Sequence, residues 1–554
     1  MGLIERRIGL LFASFLILLA VAGLRVFYLG LVKGSGLSSA ATAQQVAVTK
    51  LPAERGTITD HNGVPLAASI PADDISATPY LIKDPVATAN RLAPLIGVPA
   101  DQLVAELARR DTGFVYLSRR VPASIAEKVK ALKIEGIDFA PAALRSYPRG
   151  ELAAQVLGVV GVDGNGLFGL EYAHDKLLRG RDGEQRRVLD GGRQAIETRD
   201  LKSSVPGASM ELALDAEIQL KAEQVLQSIA DEYDPKGATA IVTNPQTGAV
   251  LAMANWPKVD ANDPGSALPE AIQNRAVGMT FEPGSTFKAF TVAAALEENE
   301  VKPTTSFNLA PSIQVADRVI GESHDRGWIT LDTAGILAQS SNVGAITVGQ
   351  RLGAERFSQW VKRFGFGQPT GVDLPGEERG LVPPLEKYSG SSMGNMPIGQ
   401  GEMVTPMQMM RAYGAIANGG MLLRPYVVNS VNGKATSAGS AAERIISAKT
   451  AASVRKMLTG VFQAGGTASE VSIPGYELAG KTGTANKIDS TTGEYSESAY
   501  VASFIGMAPA ANPKLLVSIV VDEPQGDIYG GSVAAPAFGQ IASFALPYLR
   551  IAPK

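Results

Sequence analysis

The sequence contains no cysteine, which excludes disulfides, thiol catalysis and cysteine-ligated zinc. It has three histidines, His61, His174 and His324, and their separation gives no His-x-x-x-His metal-binding spacing. Neither sign of charge dominates, because 51 Lys and Arg residues are balanced by 54 Asp and Glu residues among 554. Without a basic excess or a long basic run, nucleic-acid binding has little electrostatic support.

Long apolar runs are absent except at the N-terminus. Residues 8–24 are uncharged and apolar, and after Arg25 the apolar character resumes through Val32. A bilayer core is crossed by about 20 helical residues. The pattern therefore predicts a cytoplasmic tail at 1–7 and a single transmembrane anchor at 8–32.

The charges beside this run predict its orientation. Arg6 and Arg7 precede it, and paired arginines favour a cytoplasmic N-terminus. The protein would then be a single-pass cell-membrane protein with its large domains outside the cytoplasm. The alternative is a cleaved signal peptide with Ala41-Thr42-Ala43 as its cleavage site, but that tripeptide lies too far beyond the apolar run.

Composition divides the remaining chain in two. Residues 34–45 are rich in Gly, Ser, Ala and Gln, which predicts a connector. The pattern of residues 46–205 predicts a mixture of strands, turns and short helices, including a buried strand at 156–162. Pro206-Gly207 marks a hinge. We therefore predict a first domain at 33–205 and a second at 206–554.

The second domain has the pattern of an antiparallel sheet covered by helices, which is an α+β fold. We predict helices at 216–233 and 536–546, a hairpin at 238–255 and strands at 500–507 and 515–521.

Three short motifs carry the chemistry, and they occur in a fixed order: Ser285-Thr286-Phe287-Lys288, Ser340-Ser341-Asn342 and Lys481-Thr482-Gly483-Thr484. In the first motif, Glu282-Pro283-Gly284 predicts the start of a buried helix, so Ser285 lies in its first turn and Lys288 shares its face. Dehydration lowers the pKa of a buried lysine, and the neutral amine can then take the serine proton. The alternative for Lys288 is a lysine that reaches the surface.

The other two motifs supply polar partners. Ser340 and Asn342 lie between predicted helices at 331–338 and 343–352, where they can relay a proton, cap a helix or do both. Lys481 lies on a predicted strand at 477–485 whose glycines allow another backbone to approach. An extended peptide can add to the edge of such a strand. Lys481, Thr482 and Thr484 can hold a carboxylate, although a solvated strand lysine is the alternative.

This ordered set resembles the signature of penicillin-binding proteins and serine β-lactamases. Longer segments narrow the resemblance to the class B penicillin-binding proteins of the division-specific (FtsI) type. These segments are residues 281–288, Arg55-Gly56-Thr57-Ile58-Thr59-Asp60-His61-Asn62-Gly63, Arg145-Ser146-Tyr147-Pro148-Arg149-Gly150, Gly166-Leu167-Phe168-Gly169-Leu170-Glu171 and Gly399-Gln400-Gly401. His61 stands where the family more often has arginine.

The resemblance implies a peptidoglycan D,D-transpeptidase that acts through an acyl-serine intermediate and binds β-lactams covalently. It implies Ser285 as nucleophile, Lys288 as base, and Ser340, Asn342 and Lys481 as catalytic partners. Thr482, Gly483 and Thr484 would bind substrate, with the backbone N–H groups of Ser285 and Thr484 as the oxyanion hole. No metal or cofactor is implied.

The resemblance also gives the first domain the role of a pedestal of the dimerisation type. Expected partners are stem peptides, a polytopic membrane glycosyltransferase of the FtsW/RodA class and divisome proteins. Alternatives are an elongation-type enzyme, a D,D-carboxypeptidase, a β-lactamase, or a β-lactam sensor or scaffold that acylates once without turnover.

Three other patterns are discounted. Gly390-Ser391-Ser392-Met393-Gly394 matches a nucleophile elbow but lacks a preceding buried strand. Residues 164–169 match a dinucleotide fingerprint, but no βαβ unit follows. His324 and Asp325 suggest a triad, but we expect an isolated histidine to have a local cap or surface role.

Overall fold

The computed structural model describes residues 2–36, 46–189, 195–436, 442–489 and 491–553. Most of the predicted connector at 34–45 lies outside these residues. The chain divides into two compact units, each built from several segments. The first is Met1–Arg55, Ser69–Leu144 and Gly180–Gly207, and the second is Gly56–Ala68, Arg145–Arg179 and Ala208–Lys554.

The N-terminal segment is helical, as predicted. An α-helix spans Gly2–Phe27 and continues as one π-helical turn over Tyr28–Val32. Within the described part of the chain, this is the one helix whose length and composition would let it cross a membrane. The predicted anchor at 8–32 falls inside it.

The first unit contains two groups of strands and a small helical layer. Its three-stranded antiparallel sheet has the order Val46–Leu51, Gly183–Leu189, Ala195–Lys202. The strands Val115–Pro122 and Ile137–Ser146 pair with Pro65–Ala77. Its helices are Pro85–Ile96, Ala100–Leu107, Ala123–Ala131 and the 3-10 turn Pro79–Leu81. Gly97 takes a left-handed φ of 70° and ends the helix Pro85–Ile96.

The second unit is built on a five-stranded antiparallel sheet. The strand order is Ala249–Trp256, Gly237–Asn244, Leu515–Asp522, Tyr495–Ala508, Ala479–Ile488. The last of these, which we name the Lys481 strand, therefore lies at an edge. The predicted hairpin and both predicted C-terminal strands are confirmed.

Helices cover both faces of this sheet. Alternate side chains such as Val242 and Phe504 pack with the helices Ala216–Tyr233 and Ala535–Tyr548. Their neighbours, including Ile241 and Ile505, belong to the core that also holds the other long helices of this unit: Lys288–Glu297, Asn342–Leu352, Ala354–Arg363, Pro406–Ala417 and Ala448–Leu458. The α+β fold predicted from the sequence is confirmed.

Shorter elements complete the second unit. Its other strands are Ile58–Thr59, Met210–Leu212, Ser306–Leu309, Ser312–Val315, Arg318–Gly321, Ile329–Asp332, Met421–Leu423, Val428–Val431, Lys434–Ala435 and Ala442–Arg444. Its other helices are Ala154–Leu157, Gly169–Ala173, Asp175–Leu178, Arg275–Gly278, Thr333–Ala338, Ser392–Asn395 and Gly530–Val533. Its 3-10 turns are Pro264–Ser266, Pro269–Ala271, Gly284–Phe287, Leu385–Lys387, Met396–Ile398 and Thr459–Phe462.

The strand predicted at 156–162 is wrong. Val156 and Leu157 end the short helix Ala154–Leu157, and Val160 forms only an isolated bridge with Gly166. Gly158 ends the helix with φ 76°, and a Cβ there would lie 1.7 Å from the Phe168 carbonyl oxygen. A short apolar run suits a buried helix as well as a strand, so periodicity alone could not decide.

Three of the N-terminal family segments meet at a buried ion pair. Arg145 donates from Nε to Glu171 at 2.6 Å and from Nη1 to the Gly56 carbonyl oxygen at 2.9 Å. Both charged side chains are almost completely buried. The pair therefore fixes three segments that are distant in sequence within the second unit.

A buried carboxyl group on the helix Ala216–Tyr233 links folding to pH. Glu223 is 7% exposed and accepts hydrogen bonds from the Ala153 amide at 2.8 Å and from Gln219 at 2.7 Å. Burial raises its pKa to about 7, against the effect of these hydrogen bonds. Between the ordinary pKa and 7 the folded state binds more protons than the unfolded state, so the free energy of unfolding falls as pH rises.

We expect Glu223→Gln to remove this pH dependence, since glutamine stays neutral and can still accept a hydrogen bond. Its stability relative to wild type should rise between pH 5 and pH 7 by at most about 3 kcal/mol, or several degrees in Tm. Thermal unfolding of the detergent-solubilised full chain at several pH values measures this. Glu217→Gln, an exposed change on the same helix, is the control. A stability difference that does not vary with pH would contradict the assignment.

Candidate active site

Ser285 lies in a turn that leads into a buried helix. The turn, which we name the Ser285 turn (residues 282–287), contains the 3-10 segment Gly284–Phe287, and the α-helix Lys288–Glu297 follows directly. The predicted helix at this position is confirmed, with a tighter first turn. Thr286 donates its hydroxyl to the Pro283 carbonyl oxygen at 2.6 Å, which fixes the turn while Ser285 stays half-buried.

Lys288 is completely buried, so the prediction of a dehydrated amine is confirmed and the surface alternative is wrong. Its Nζ donates to the Ser340 carbonyl oxygen at 2.6 Å, to Asn342 Oδ1 at 2.6 Å and to Ser340 Oγ at 3.3 Å. Burial lowers its pKa to about 7, while the charge of Glu322 opposes this shift. Among the hydrogen bonds of the described residues, none joins Lys288 to Ser285.

The second motif joins two helices, as predicted. Ser340 follows the helix Thr333–Ala338, and Asn342 begins the helix Asn342–Leu352. Ser340 has φ 60°, a left-handed conformation that is uncommon for a residue with a side chain. Such strain persists only where the surroundings hold it in place, and here its carbonyl and hydroxyl oxygens both face Lys288.

Lys481 approaches the same hydroxyl from the sheet edge. Its side chain is completely buried, and Nζ donates to Ser340 Oγ at 2.8 Å and to the Thr482 carbonyl oxygen at 3.1 Å. Burial and the charge of Lys288 both place the pKa of Lys481 well below its ordinary value. The solvated alternative for Lys481 is therefore wrong, and two dehydrated amines share one serine hydroxyl.

Glycines let the Lys481 strand lie directly on the Ser285 turn. A Cβ on Gly483 would lie 2.4 Å from Ser503 Oγ, 2.9 Å from Thr286 Cγ2 and 3.1 Å from the Pro283 carbonyl oxygen. Gly284, with φ 52°, would bring a Cβ to 3.0 Å from the Thr484 carbonyl oxygen. No larger residue fits this approach without a shift.

The hydroxyls on the Lys481 strand are held by neighbouring segments. Thr482 Oγ1 lies 2.7 Å from Thr467 Oγ1, and Thr484 Oγ1 accepts a hydrogen bond from the Gly530 amide at 3.1 Å. These contacts orient both side chains at the rim of the cavity that they line.

The predicted residues surround one cavity of about 1020 Å³. Its lining includes Ser285, Ser340, Asn342, Thr482 and Thr484. Lys288 and Lys481 lie behind this lining through their bonds to Ser340, and Gly483 lies against the Ser285 turn. The structure thus brings together all eight residues predicted from the motifs, whose chemical roles stay predictions.

Glu322 was not predicted from the sequence. It accepts hydrogen bonds from Ser341 Oγ at 2.6 Å and from the Asn342 and Val343 amides at 2.6 and 3.2 Å, and it pairs with Arg326. Burial raises the pKa of Glu322, but these hydrogen bonds, Arg326 and the Lys288 charge outweigh burial and lower it. A carboxylate thus caps the helix that begins at Asn342, from a strand end about 20 residues earlier, so no local sequence pattern indicated it.

The cavity has further walls that sequence motifs did not indicate. They include Arg318, His324, Tyr495, Tyr500 and Tyr529. The His324 and Tyr529 rings lie 5.4 Å apart, which places this histidine on the cavity wall.

The discounted patterns lie in other local structures. No strand precedes Ser392 among the described residues from 333 to 391, where the 3-10 turn Leu385–Lys387 comes shortly before it. Ser453-Val454-Arg455-Lys456 has the same Ser-x-x-Lys spacing as the first motif, but Ser453 donates to the Lys449 carbonyl oxygen on an ordinary helix. Across the described ranges, no group of three or more His, Asp or Glu side chains is arranged to hold a metal ion.

Two protein families match the chain. Residues 238–543 match the penicillin binding protein transpeptidase domain. Residues 50–212 match the penicillin-binding protein dimerisation domain. Together these matches cover most of the sequence outside the N-terminal helix.

Relatives align over nearly the whole chain. The chain is 32% identical over 557 residues to the peptidoglycan D,D-transpeptidase FtsI of Escherichia coli, covering 99% of this chain and 93% of that protein. It is 35% identical over 573 residues to the penicillin-binding protein PbpB of Mycobacterium tuberculosis, covering 96% and 83%. A crystal structure of penicillin binding protein 3 from Mycobacterium tuberculosis, complexed with aztreonam, superimposes with a TM-score of 0.71 at 31% identity, covering 91% of this chain and 98% of that one.

The motif geometry, the two matching domains and these relatives agree with one another, and the chain belongs to the class B penicillin-binding proteins of the FtsI type.

Proposed function

We propose that this protein is a peptidoglycan D,D-transpeptidase that cross-links stem peptides through an acyl-serine at Ser285, and that β-lactams acylate the same residue. The observation that carries the proposal is the buried Lys288–Ser340–Lys481 array beside the Ser285 turn. Relatives that align over nearly all of the chain and are named peptidoglycan D,D-transpeptidases support the substrate class.

In the acylation step, Ser285 Oγ attacks the carbonyl carbon between the two terminal D-alanines. Its proton passes to the neutral Lys288 amine, and the peptide C–N bond breaks after a tetrahedral intermediate. The departing D-Ala amine takes a proton through Ser340 Oγ, which both lysines contact. Lys288 gives up one of its three present hydrogen bonds when its lone pair turns towards Ser285.

In the second step, an amine of a neighbouring stem peptide attacks the acyl-serine. The ester C–O bond breaks and a new amide bond forms, while the array takes the proton that the attacking amine loses and returns a proton to Ser285 Oγ. Two backbone N–H donors, those of Ser285 and Thr484, would stabilise the oxyanion of each tetrahedral intermediate. One such donor is typically worth about a hundred- to thousandfold in rate.

We assign substrate orientation to the unpaired edge of the Lys481 strand. Because this strand pairs on only one side within the five-stranded sheet, the stem peptide can add to its free edge. Thr482 and Thr484, held by Thr467 and the Gly530 amide, would bind the terminal carboxylate. The close fit at Gly483 sets the distance from this peptide to Ser285.

We also propose how the protein is anchored in the membrane and which partners it works with. The N-terminal helix would anchor the protein with its N-terminus inside and both units outside the cytoplasm. Residues 33–205 would form the pedestal and 206–554 the catalytic domain, working with a polytopic glycosyltransferase of the FtsW/RodA class and divisome proteins in septal wall synthesis. Depletion of the protein in its own cell tests the proposed role in septal wall synthesis. Filamentation of the cells supports a role in division, and rounding with normal septation contradicts it.

Ser285→Ala should abolish covalent labelling by a fluorescent penicillin, because the variant lacks the hydroxyl that we propose as the nucleophile. Thermal unfolding should change by less than a few degrees, since the side chain is half-buried. The wild type should also release D-Ala repeatedly from a pentapeptide when an acceptor amine is added. Labelling that survives the substitution would reassign the nucleophile, and a single turnover would identify a sensor.

Acylation by a penicillin should rise with pH and level off above about 7, because only neutral Lys288 accepts the Ser285 proton. Below that pKa the rate should fall about tenfold per pH unit. The second-order acylation constant of the full chain, measured from pH 5 to 9, gives this profile. A flat profile would contradict a titrating Lys288.

Glu322→Ala should lower the acylation constant about ten- to a hundredfold, because the segment that carries Ser340 and Asn342 loses its carboxylate cap. Asp332→Ala is the matched control, since it removes the cap of the preceding helix, where Oδ1 accepts from the Gly335 amide at 2.7 Å. Both variants should lose about 1 kcal/mol of stability. Equal acylation losses in the two variants would reduce Glu322 to a purely structural role.

A further inference from the structure

The Ser285 turn is held against a second segment, residues 399–404. Phe281 and Val404 exchange both backbone hydrogen bonds, at 3.0 and 2.9 Å, and the Gly284 amide donates to the Gly399 carbonyl oxygen at 2.9 Å. A Cβ on Gly399 would lie 2.1 Å from the Gly284 carbonyl oxygen. The position of Ser285 therefore depends on how well these two segments stay together.

Glu282 joins these segments to the cavity wall. Its side chain is 7% exposed and accepts a hydrogen bond from the Gly401 amide at 2.9 Å. The Tyr495 hydroxyl donates to both of its oxygens, at 3.1 and 3.0 Å. Tyr495 begins the strand Tyr495–Ala508 and lines the cavity. One carboxylate of the Ser285 turn thus contacts both the 399–404 segment and the strand that pairs with the Lys481 strand.

A second acid lies behind the first. Glu402 is 1% exposed, and across the described part of the chain neither of its carboxyl oxygens has a hydrogen-bond partner. A buried carboxylate without donors is costly, so the negative charge favours the acid that has donors. Burial, with the nearby Glu282 charge, raises the pKa of Glu402 well above its ordinary value.

The groups that face this pair support the same division of charge. Burial raises the pKa of Glu282 as well, but the Gly401 and Tyr495 hydrogen bonds oppose the shift. Burial raises the pKa of the Tyr388 hydroxyl, so this group stays neutral and adds no charge near Glu402. The positive charge of Arg318 acts on Tyr495, which donates to Glu282. The negative charge therefore lies at Glu282, the end nearer to Ser285.

We propose that Glu282 is a positioning residue for the reaction at Ser285, acting as a carboxylate through Gly401 and Tyr495, while Glu402 stays a neutral acid. The proposal rests on the proposed function at Ser285. Glu282 acts by placing the Ser285 turn, and it transfers no proton to or from the substrate.

The test separates binding from acylation in the full chain, using stopped-flow kinetics with a fluorescent penicillin. We expect Tyr495→Phe and Glu282→Gln each to lower the acylation rate constant about tenfold, with the non-covalent Kd changed less than threefold. The double variant should lose no more than the worse single variant, because the two groups act as one unit. Tyr476→Phe, which removes a tyrosine hydrogen bond to Ile551 elsewhere in the unit, is the control.

Three results would overturn the role of Glu282: wild-type acylation in both single variants, losses confined to Kd, or fully additive losses. If Glu282→Gln does not fold, Tyr495→Phe decides alone, because its side chain is partly exposed. Failure of the proposed function looks different, since wild-type Ser285 would then not be labelled at all.

A second measurement tests the neutral state of Glu402. Since its folded-state pKa lies above its unfolded-state value, the wild type loses stability as pH rises above about 4.5. Glu402→Gln mimics the neutral acid, so its Tm relative to wild type should increase by several degrees between pH 5 and pH 8. A Tm difference that is constant or decreases over this range would overturn the assignment of a neutral Glu402.

Discussion

Two lysine amines are held out of water beside a single serine hydroxyl, and the rest of the site depends on this constraint. Lys288 and Lys481 are both completely buried and both donate to Ser340 Oγ. Two buried ammonium groups this close would repel each other where little solvent screens them, so the neutral form of at least one is favoured. A lysine then has a lone pair near neutral pH, which an exposed lysine lacks.

The fold creates this constraint by bringing three distant segments together with little spare volume. The Lys288 helix is surrounded by the core, Ser340 is held in a left-handed conformation between two helices, and the Lys481 strand lies on the Ser285 turn because Gly483 and Gly284 have no side chain. Glu322 and Glu282 then fix two of these segments from behind. Both are carboxylates that accept backbone N–H groups, so charge is used here to hold main chain as well as to tune the pKa of the amines.

Much of this arrangement could be predicted from the sequence where the signal is local. The helix Ala216–Tyr233, the antiparallel strands and the buried lysine at Ser-x-x-Lys follow from periodicity and apolar neighbours. The spacing of Ser285 and Lys288 predicts that both lie on one helical face. The structure differs only in that the turn with Ser285 is a 3-10 turn.

What sequence could not predict depends on contacts between distant residues. Glu322 precedes Asn342 by about 20 residues, and Tyr495 reaches Glu282 across about 200, so neither pair leaves a spacing pattern. His324 looked isolated because its neighbour on the cavity wall, Tyr529, is far away in the chain. The wrong strand at 156–162 failed for a different reason, since a short buried helix and a buried strand have the same apolar composition.

The most direct test of the account is the titration of the Lys288 amine itself. NMR of the full chain labelled with ¹³C at lysine Cε, with the signal assigned through Lys288→Arg, follows that one group from pH 5 to 11. We predict a midpoint near 7, because burial outweighs the charge of Glu322. A midpoint near the ordinary lysine value of about 10.4 would contradict the account, because Lys288 would then be an ammonium whenever Ser285 reacts.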